Sequence, residues 1–458
     1  MRLHPGASRG SAQRDIDWLQ EGPGGLCPAL PLPLRPLPRK VSLRGRGVRR
    51  GPGRKPPQLR ECANGEVTPD AAPGNQPLPP TLRLRPTYPG SAEWHGLTRE
   101  ITLSVAIDMK IAQIAPLYES VPPRLYGGTE RVVAHLCDAL VEAGHDVTLF
   151  AAADARTKAH LVAVRDQAMR LDADPLKSDV GAHLRMLHEV KRRTAHFDIL
   201  HFHVDMIHFP MFEQHAHKSI TTLHGRLDMK DLPSVYERWP SFGLVSISDH
   251  QRQPLSGANW LATVPHGLPI AHHSFTARPT ADYLAFLGRI SPEKGAEDAI
   301  RLAKRSGIPL RLAAKVDAID MVYFKAVVEP LLDHPLIEFV GEIGDAQKSE
   351  FLGNARALMF PIRWPEPFGL VMIESMACGT PVIAYNHGAV PEVIEHGVSG
   401  LMVNSEDQAL RAIAHVDQLD RYAVRGAFER RFTADRMARA YVDVYASLIL
   451  SQRLGCAS

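Results

Sequence analysis

Long apolar runs are missing from this 458-residue chain. Nothing reaches the 18 consecutive apolar residues that mark a helix able to span a bilayer. The Met1 end also lacks the basic stretch, uninterrupted apolar core and small-residue cleavage site of an export signal. Cysteine is scarce: Cys27, Cys62, Cys137, Cys378 and Cys456 are scattered without a C-x-x-C pair. That spacing argues against a disulfide framework and a zinc ribbon, and it fits a reducing, cytoplasmic compartment. Net charge is small as well, 53 Lys+Arg against 50 Asp+Glu, so nothing suggests a nucleic-acid binder that works by neutralising phosphates.

What charge there is lies unevenly. The first hundred residues hold 16 Lys+Arg, 14 of them arginine, against 8 Asp+Glu, and 17 of the 37 prolines. Stretches such as Pro31 to Pro38, Arg44 to Gly53 and Gln76 to Pro80 show no helix or strand period, and cannot bury enough apolar surface to offset their ordering entropy. Residues 1–108 are therefore expected to be a disordered Arg/Pro/Gly-rich extension, or translated sequence upstream of a start at Met109. A basic tail that touches anionic partners or proline-binding modules is the alternative.

From Met109 onward, short apolar runs alternate with amphipathic stretches. Strands are expected at Ile111 to Ala115, Val147 to Ala151, Ile199 to His203, Ile220 to Leu223, Leu244 to Ile247, Leu284 to Leu287, Leu310 to Ala313, Ile337 to Val340, Ala357 to Phe360 and Pro381 to Ala384. Helical periods cover Glu130 to Ala143, Glu297 to Ser306, Ala346 to Asn354 and Leu370 to Met376. Strand followed by helix, repeated, makes parallel sheets with both faces covered. The fold class is thus α/β, with two facing Rossmann-like domains and a cleft between them. The boundaries expected are an N-terminal domain over 109–270, a linker over 271–282, a C-terminal domain over 283–425 and a helical segment over 426–458 that packs back on the first domain. Ligands of open parallel sheets sit at the carboxyl ends of the strands, so the chemistry is sought in the cleft.

Three loops stand at such ends. Gly127 and Gly128, followed by Thr129 and Glu130, form a strand-to-helix turn where backbone amides approach an anion, or else a tight turn capped by Thr129. The turn matches neither G-x-G-x-x-G nor the Walker pattern. Arg289 and Lys294 project from the loop Gly288 to Gly295, two cations suited to a diphosphate and the charge it gains on leaving; a solvated turn neutralised by Glu293 is the plain alternative. The segment Trp364 to Pro381 holds Glu366 in a proline-bounded loop and Glu374 inside an apolar helix, where a carboxylate needs a partner. Sugar or ribose hydroxyls would supply one, as would backbone. The free amides of Phe368, Gly369 and Leu370 at the helix start suit phosphate.

Gly127-Gly128, then Gly288-Arg289 with Glu293-Lys294-Gly295, then Glu366-x7-Glu374, in that order and spacing, resemble the retaining nucleotide-sugar glycosyltransferases of family 4 with GT-B architecture, over essentially all of residues 109–450. The resemblance implies a metal-independent transfer from a nucleoside-diphosphate sugar, with no cofactor. It gives Arg289 and Lys294 the donor diphosphate, Glu374 the ribose and Glu366 hydroxyls of the transferred sugar. Gly127 and Gly128 would line the cleft near the diphosphate and the acceptor. His224 matches the histidine that some members place beside the anomeric carbon; a loop histidine bonded to backbone is the alternative. The catalytic set implied is His224, Glu366, Arg289 and Lys294. Donor binding adds Gly127, Gly128, Phe368, Gly369, Leu370 and Glu374, while His203 and His266 line the cleft.

His201 and His203 share a strand face as a metal pair would, but no third ligand stands at a suitable spacing, so no metal is expected. The run Arg185, Lys191, Arg192, Arg193 is read as a solvated face, with peripheral docking at the inner side of a membrane as the alternative. The acceptor, whether glycan, lipid or small molecule, is not encoded in any motif. A glycan phosphorylase, a sugar-nucleotide epimerase and a non-catalytic sugar-nucleotide sensor are the rival readings.

Overall fold

The computed structural model describes residues 108–455. The expectations for residues 1–107, with Cys27 and Cys62, and for Cys456 lie outside the described residues. Among the described residues, thirteen strands form two sheets. The first holds β1 (Lys110–Ile114), β2 (Asp146–Ala152), β3 (His160–Arg165), β4 (Ile199–Phe202), β5 (Ser219–Thr222), β6 (Gly243–Ser246) and β7 (Trp260–Thr263). The second holds β8 (Leu284–Arg289), β9 (Leu310–Lys315), β10 (Ile337–Gly341), β11 (Ala357–Phe360), β12 (Val382–Tyr385) and β13 (Gly400–Val403). Their spatial orders are β3-β2-β1-β4-β5-β6-β7 and β10-β9-β8-β11-β12-β13. Each sheet runs outward one way from its first strand and then reverses, the doubly wound order of a Rossmann fold. Every ladder between these strands is parallel.

The ten strands expected from apolar runs are present to within two residues at either end. The three not foreseen, β3, β7 and β13, are all sheet edges. All three nevertheless carry apolar runs, Leu161 to Val164, Trp260 to Ala262 and Leu401 to Val403, so exposure at the edge does not by itself hide them. In β7 no residue is fully buried, whereas every residue of β4, β5 and β6 is.

Among the described residues, eight helices reach eight residues or more: α1 (Thr129–Glu142), α2 (Asp179–Arg192), α3 (Ala296–Ser306), α4 (Asp345–Gly353), α5 (Leu370–Ala377), α6 (Glu406–His415), α7 (Arg421–Arg431) and α8 (Ala434–Gly455). The last begins after the second sheet but buries Met437, Tyr441 and Tyr445 in a cluster with Ile111, Leu136 and Val147 of the first. Its entry is fixed by a bridge between Leu268 and Thr433. Both sheets reverse direction at their first strand, between β1 and β4 and between β8 and β11. The carboxyl ends of those strands open on one cleft of about 370 Å³.

Candidate functional site

Residues from both sheets line this cleft. The first contributes Gly127, Gly128, Arg131, His224 and His266, and the second Arg289, Lys294, Lys348, Glu366 and Glu374, with Phe368, Gly369 and Leu370 at the start of α5. His203 stands one bond behind His224, its Nδ1 2.9 Å from His224 Nε2. His203, expected to line the cleft, is therefore buried behind its wall; the other cleft residues anticipated from the motifs are brought to one place, along with several that were not.

The paired glycines precede α1, whose N-cap is Gly128, and the Thr129 side chain caps nothing. Gly127 is needed for contact rather than for an unusual backbone: a Cβ there would stand 2.8 Å from Pro123 Cβ. Gly369 differs. It caps α5 at φ +83°, a left-handed conformation that a side chain resists. The start of α5, with Gly369, Leu370 and Val371, lines the cleft.

Two ion-pair groups occupy the second sheet's side. Lys294 Nζ bonds Glu366 Oε2, and Trp364 Nε1 donates to the same oxygen at 2.8 Å. Trp364 is itself flanked by two cations, Lys294 Nζ and the Arg226 guanidinium, each 5.2 Å from its ring centroid. Lys294 is therefore more enclosed than a solvated loop residue, with a side chain 17% exposed. Arg289 pairs with Glu293 at 2.6 Å, and Asp320 and Asp317 follow at 3.5 and 3.7 Å. The neutralisation by Glu293 offered as the plain reading does occur, and it coexists with a place in the cleft wall.

Deeper in, Glu374 is 3% exposed. Its partner is a lysine that the motifs did not reveal: Lys348 Nζ donates to Glu374 Oε1 at 2.7 Å, with Arg131 Nε 3.9 Å from the same oxygen. Burial alone would raise this carboxyl, but Lys348, Arg131 and His273 bring it down to about 2. Arg131, 2% exposed, also pairs with Asp345 and donates to Leu125 O at 2.9 Å. Asp345 sits well below the ordinary carboxylate range, the lift from burial being outweighed by His272, Arg131 and Lys348. Arg131 could have been suspected, since it follows the glycine pair in the first turn of α1. Lys348 carried no local signal, because it meets Glu374 only once α4 packs beside α5.

Arg131 apart, the first sheet's side presents neutral histidines. His224 is pulled down to about 3 by burial, and His203 and His266 lie well below their usual value for the same reason. His224 and His266 stack with centroids 5.2 Å apart, and His266 meets Phe368 edge-on at 4.9 Å. Among the described residues no group of three or more His, Cys, Asp or Glu is arranged to hold a metal ion. Among them, too, no helix is long and apolar enough to cross a membrane. The basic run lies on α2 and just after it, where Arg192 and Arg193 pair with Glu189.

Comparison with known proteins places this geometry. A model described as Glycosyltransferase Family 4 matches residues 126–260, and one described as Glycosyl transferases group 1 matches residues 270–420. A phosphatidyl-myo-inositol mannosyltransferase of Mycolicibacterium smegmatis is 26% identical, covering 76% of this chain and 98% of its own. A glycogen synthase of Mycobacterium tuberculosis is 26% identical, covering 70% and 86%. The crystal structure of a glycosyltransferase involved in avilamycin A biosynthesis is 25% identical, with a TM-score of 0.56 over 75% of this chain and 98% of that one.

Proposed function

The chain belongs to the family-4 glycosyltransferases of GT-B architecture, and from that premise we propose that it moves a sugar from a nucleoside-diphosphate donor, held by residues 283–425, to an acceptor held by residues 109–270, with retention of anomeric configuration. The observation that carries this division is the placement of charge: Arg289 and Lys294 stand with the start of α5 on one wall and neutral His224 and His266 on the other, where Arg131 is already paired with Asp345 and Glu374.

Cleavage of the anomeric C–O bond sends its electron pair to the departing diphosphate and leaves positive charge on the sugar. Lys294 and Arg289, with the amides of Phe368, Gly369 and Leu370, meet the growing negative charge in place before it forms. Glu366, kept in register by Lys294 and Trp364, accepts from hydroxyls of the transferred sugar. Glu374 accepts from the ribose, its position set by Lys348 and Arg131. Gly127 and Gly128 let the chain pass close to the diphosphate and acceptor, and His224 faces the reacting sugar.

The acceptor is a glycan, a lipid or a small molecule, and the reaction uses no metal or cofactor. Residues 109–458 are proposed to carry the whole activity, with 271–282 as the link and 426–458 as the segment returning to the first domain. The buried free thiols of Cys137 and Cys378 suit a cytoplasmic setting. Expressing residues 109–458 beside the full chain tests the boundary: equal melting and turnover support it, and a large loss of either refutes it. The function is tested by a thermal-shift screen of UDP-, GDP- and ADP-sugars followed by assay of diphosphate release. A ligand at 100 times its Kd stabilises by about 2.7 kcal/mol. Retention of configuration is read from the anomeric proton coupling of the product, and inversion would contradict that part of the reading.

A further inference from the structure

A chain of hydrogen bonds leaves the cleft at His224 and ends on α8. His203 Nε2 lies 2.8 Å from Gln113 Oε1, and Gln113 Nε2 donates to Tyr445 Oη at 3.1 Å. Tyr445 Oη is 2.8 Å from His201 Nδ1, His201 Nε2 is 2.7 Å from Thr222 Oγ1, and Thr222 Oγ1 is 2.8 Å from Tyr441 Oη. All six residues beyond His224 are buried.

The direction of the bonds follows from what each group can do. An amide oxygen only accepts and an amide nitrogen only donates. Gln113 turns its oxygen to His203, so His203 carries its proton on Nε2. Burial keeps that ring neutral. Its Nδ1 is then a lone pair and must accept from His224 Nε2–H. His224, neutral for the same reason, has no second proton, so its Nδ1 is a bare acceptor. That nitrogen is buried without a partner on a ring that lines the cleft. The chain thus ends in an unpaired acceptor on a ring that lines the cleft.

We propose that Gln113 and Tyr445 are positioning residues that hold His224 as a hydrogen-bond acceptor for a substrate hydroxyl, so that the C-terminal helix sets the tautomer used in the cleft. The inference rests on the glycosyl-transfer reading. It also accounts for the return of α8 to the first sheet, since this helix follows the donor half in sequence and supplies the acceptor half with the hydroxyl on which the Gln113 amide is oriented.

The test is a double-mutant cycle in the full chain, read as diphosphate release from the donor sugar and as calorimetric affinity for the free nucleoside diphosphate. Gln113→Met and Tyr445→Phe should each lower kcat by about tenfold, the cost of one displaced hydrogen bond. Affinity for the free diphosphate, which has no sugar, should stay within about twofold. In a His224→Ala background, the same two changes should cost less than about twofold more, because their target is gone. A loss already visible in donor hydrolysis without acceptor assigns the hydroxyl to the sugar, and one seen only in transfer assigns it to the acceptor. Where Tyr445→Phe lowers the melting temperature, Gln113→Met, close in volume and on β1 rather than in the helix, carries the test. Equal fold losses with and without His224, or diphosphate affinity falling in step with kcat, would overturn the relay alone. A wild type that binds a free diphosphate yet releases none from any donor sugar would overturn the glycosyl-transfer reading and the relay with it.

Discussion

The sheet of residues 110–263 keeps its interior polar groups neutral, with Gln113, His201, His203, Thr221, Thr222 and Ser246 buried along its central strands. Around the sheet of residues 284–403 buried hydroxyls such as Ser375 and Thr380 are joined by buried charged groups in pairs: Lys348 with Glu374, Lys294 with Glu366, and Glu297 and Asp298 with Arg363. The two sheets share a strand order, so topology does not account for the difference. A neutral wall can exchange hydrogen bonds with hydroxyls at little electrostatic cost, while a wall of paired charges can trade a carboxylate for a phosphate. One fold used twice thus gives two chemically distinct faces to a single cleft. Arg131 is the exception that joins them, a buried cation of the first half whose partners Asp345 and Glu374 belong to the second.

The sharpest way to break the comparison is to remove a charge from the second wall. Lys294→Ala should cost about 2.7 to 4 kcal/mol of barrier lowering, a fall of roughly 10² to 10³ in kcat, with Arg289→Ala in the same direction. Steady-state release of diphosphate measures both, and unchanged turnover in both would move the diphosphate site elsewhere. Next, Glu374→Gln should weaken free nucleoside diphosphate by about ten- to a hundredfold and also lower the melting temperature, because Lys348 and Arg131 lose a buried counter-charge. Glu366→Gln, proposed to act on the sugar, should leave that affinity nearly unchanged. Calorimetry separates the two, and the opposite pattern would exchange their roles.

Lys348 and Arg131 also show where reading the sequence stopped. Short loops such as Gly288 to Gly295 and Trp364 to Gly369 were legible because turn residues, charges and strand ends lie within a few positions of one another. Central strands were legible because both their faces are covered. The partner of Glu374 was not, since that contact is made by packing α4 against α5. Nor was the Gln113–Tyr445 bond, whose ends are 332 residues apart. Three of the four edge strands were missed although they carry apolar runs of three or four residues, while the fourth, β10, was found.

The neutral wall has its own signature in acid. His201, His203, His208, His224 and His266 all titrate below their ordinary value near 6.5 because they are buried. As pH falls from 7.5 to 5.5 the unfolded chain binds protons that the folded chain refuses, so stability drops by about 1 kcal/mol for each. Glu130 works in the opposite sense. Burial raises it to about 7, so it takes up a proton on folding in the same window and offsets part of the loss. Glu374, held down to about 2, contributes stability that is lost only as pH falls below about 4.5. Thermal melts across pH 5.5 to 7.5 should therefore show a falling melting temperature, and a flat profile would mean that the histidines titrate freely. The smallest effect expected is at the rim. Glu342→Ala removes a partly exposed pair with Arg170, 2.7 Å long, and should cost less than about 1 kcal/mol, shrinking further in high salt. A larger, salt-independent loss would show that this contact is more than rim electrostatics.

The central claim, that the charged wall takes the nucleoside diphosphate and the neutral wall does not, comes down to one titration. Free UDP, GDP and ADP are titrated calorimetrically into the wild type, Lys294→Ala and His224→Ala. At least one diphosphate should bind the wild type, weaken by about tenfold or more in Lys294→Ala and stay within about twofold in His224→Ala. Binding that survives Lys294→Ala but falls in His224→Ala, or no binding of any of the three, would contradict it.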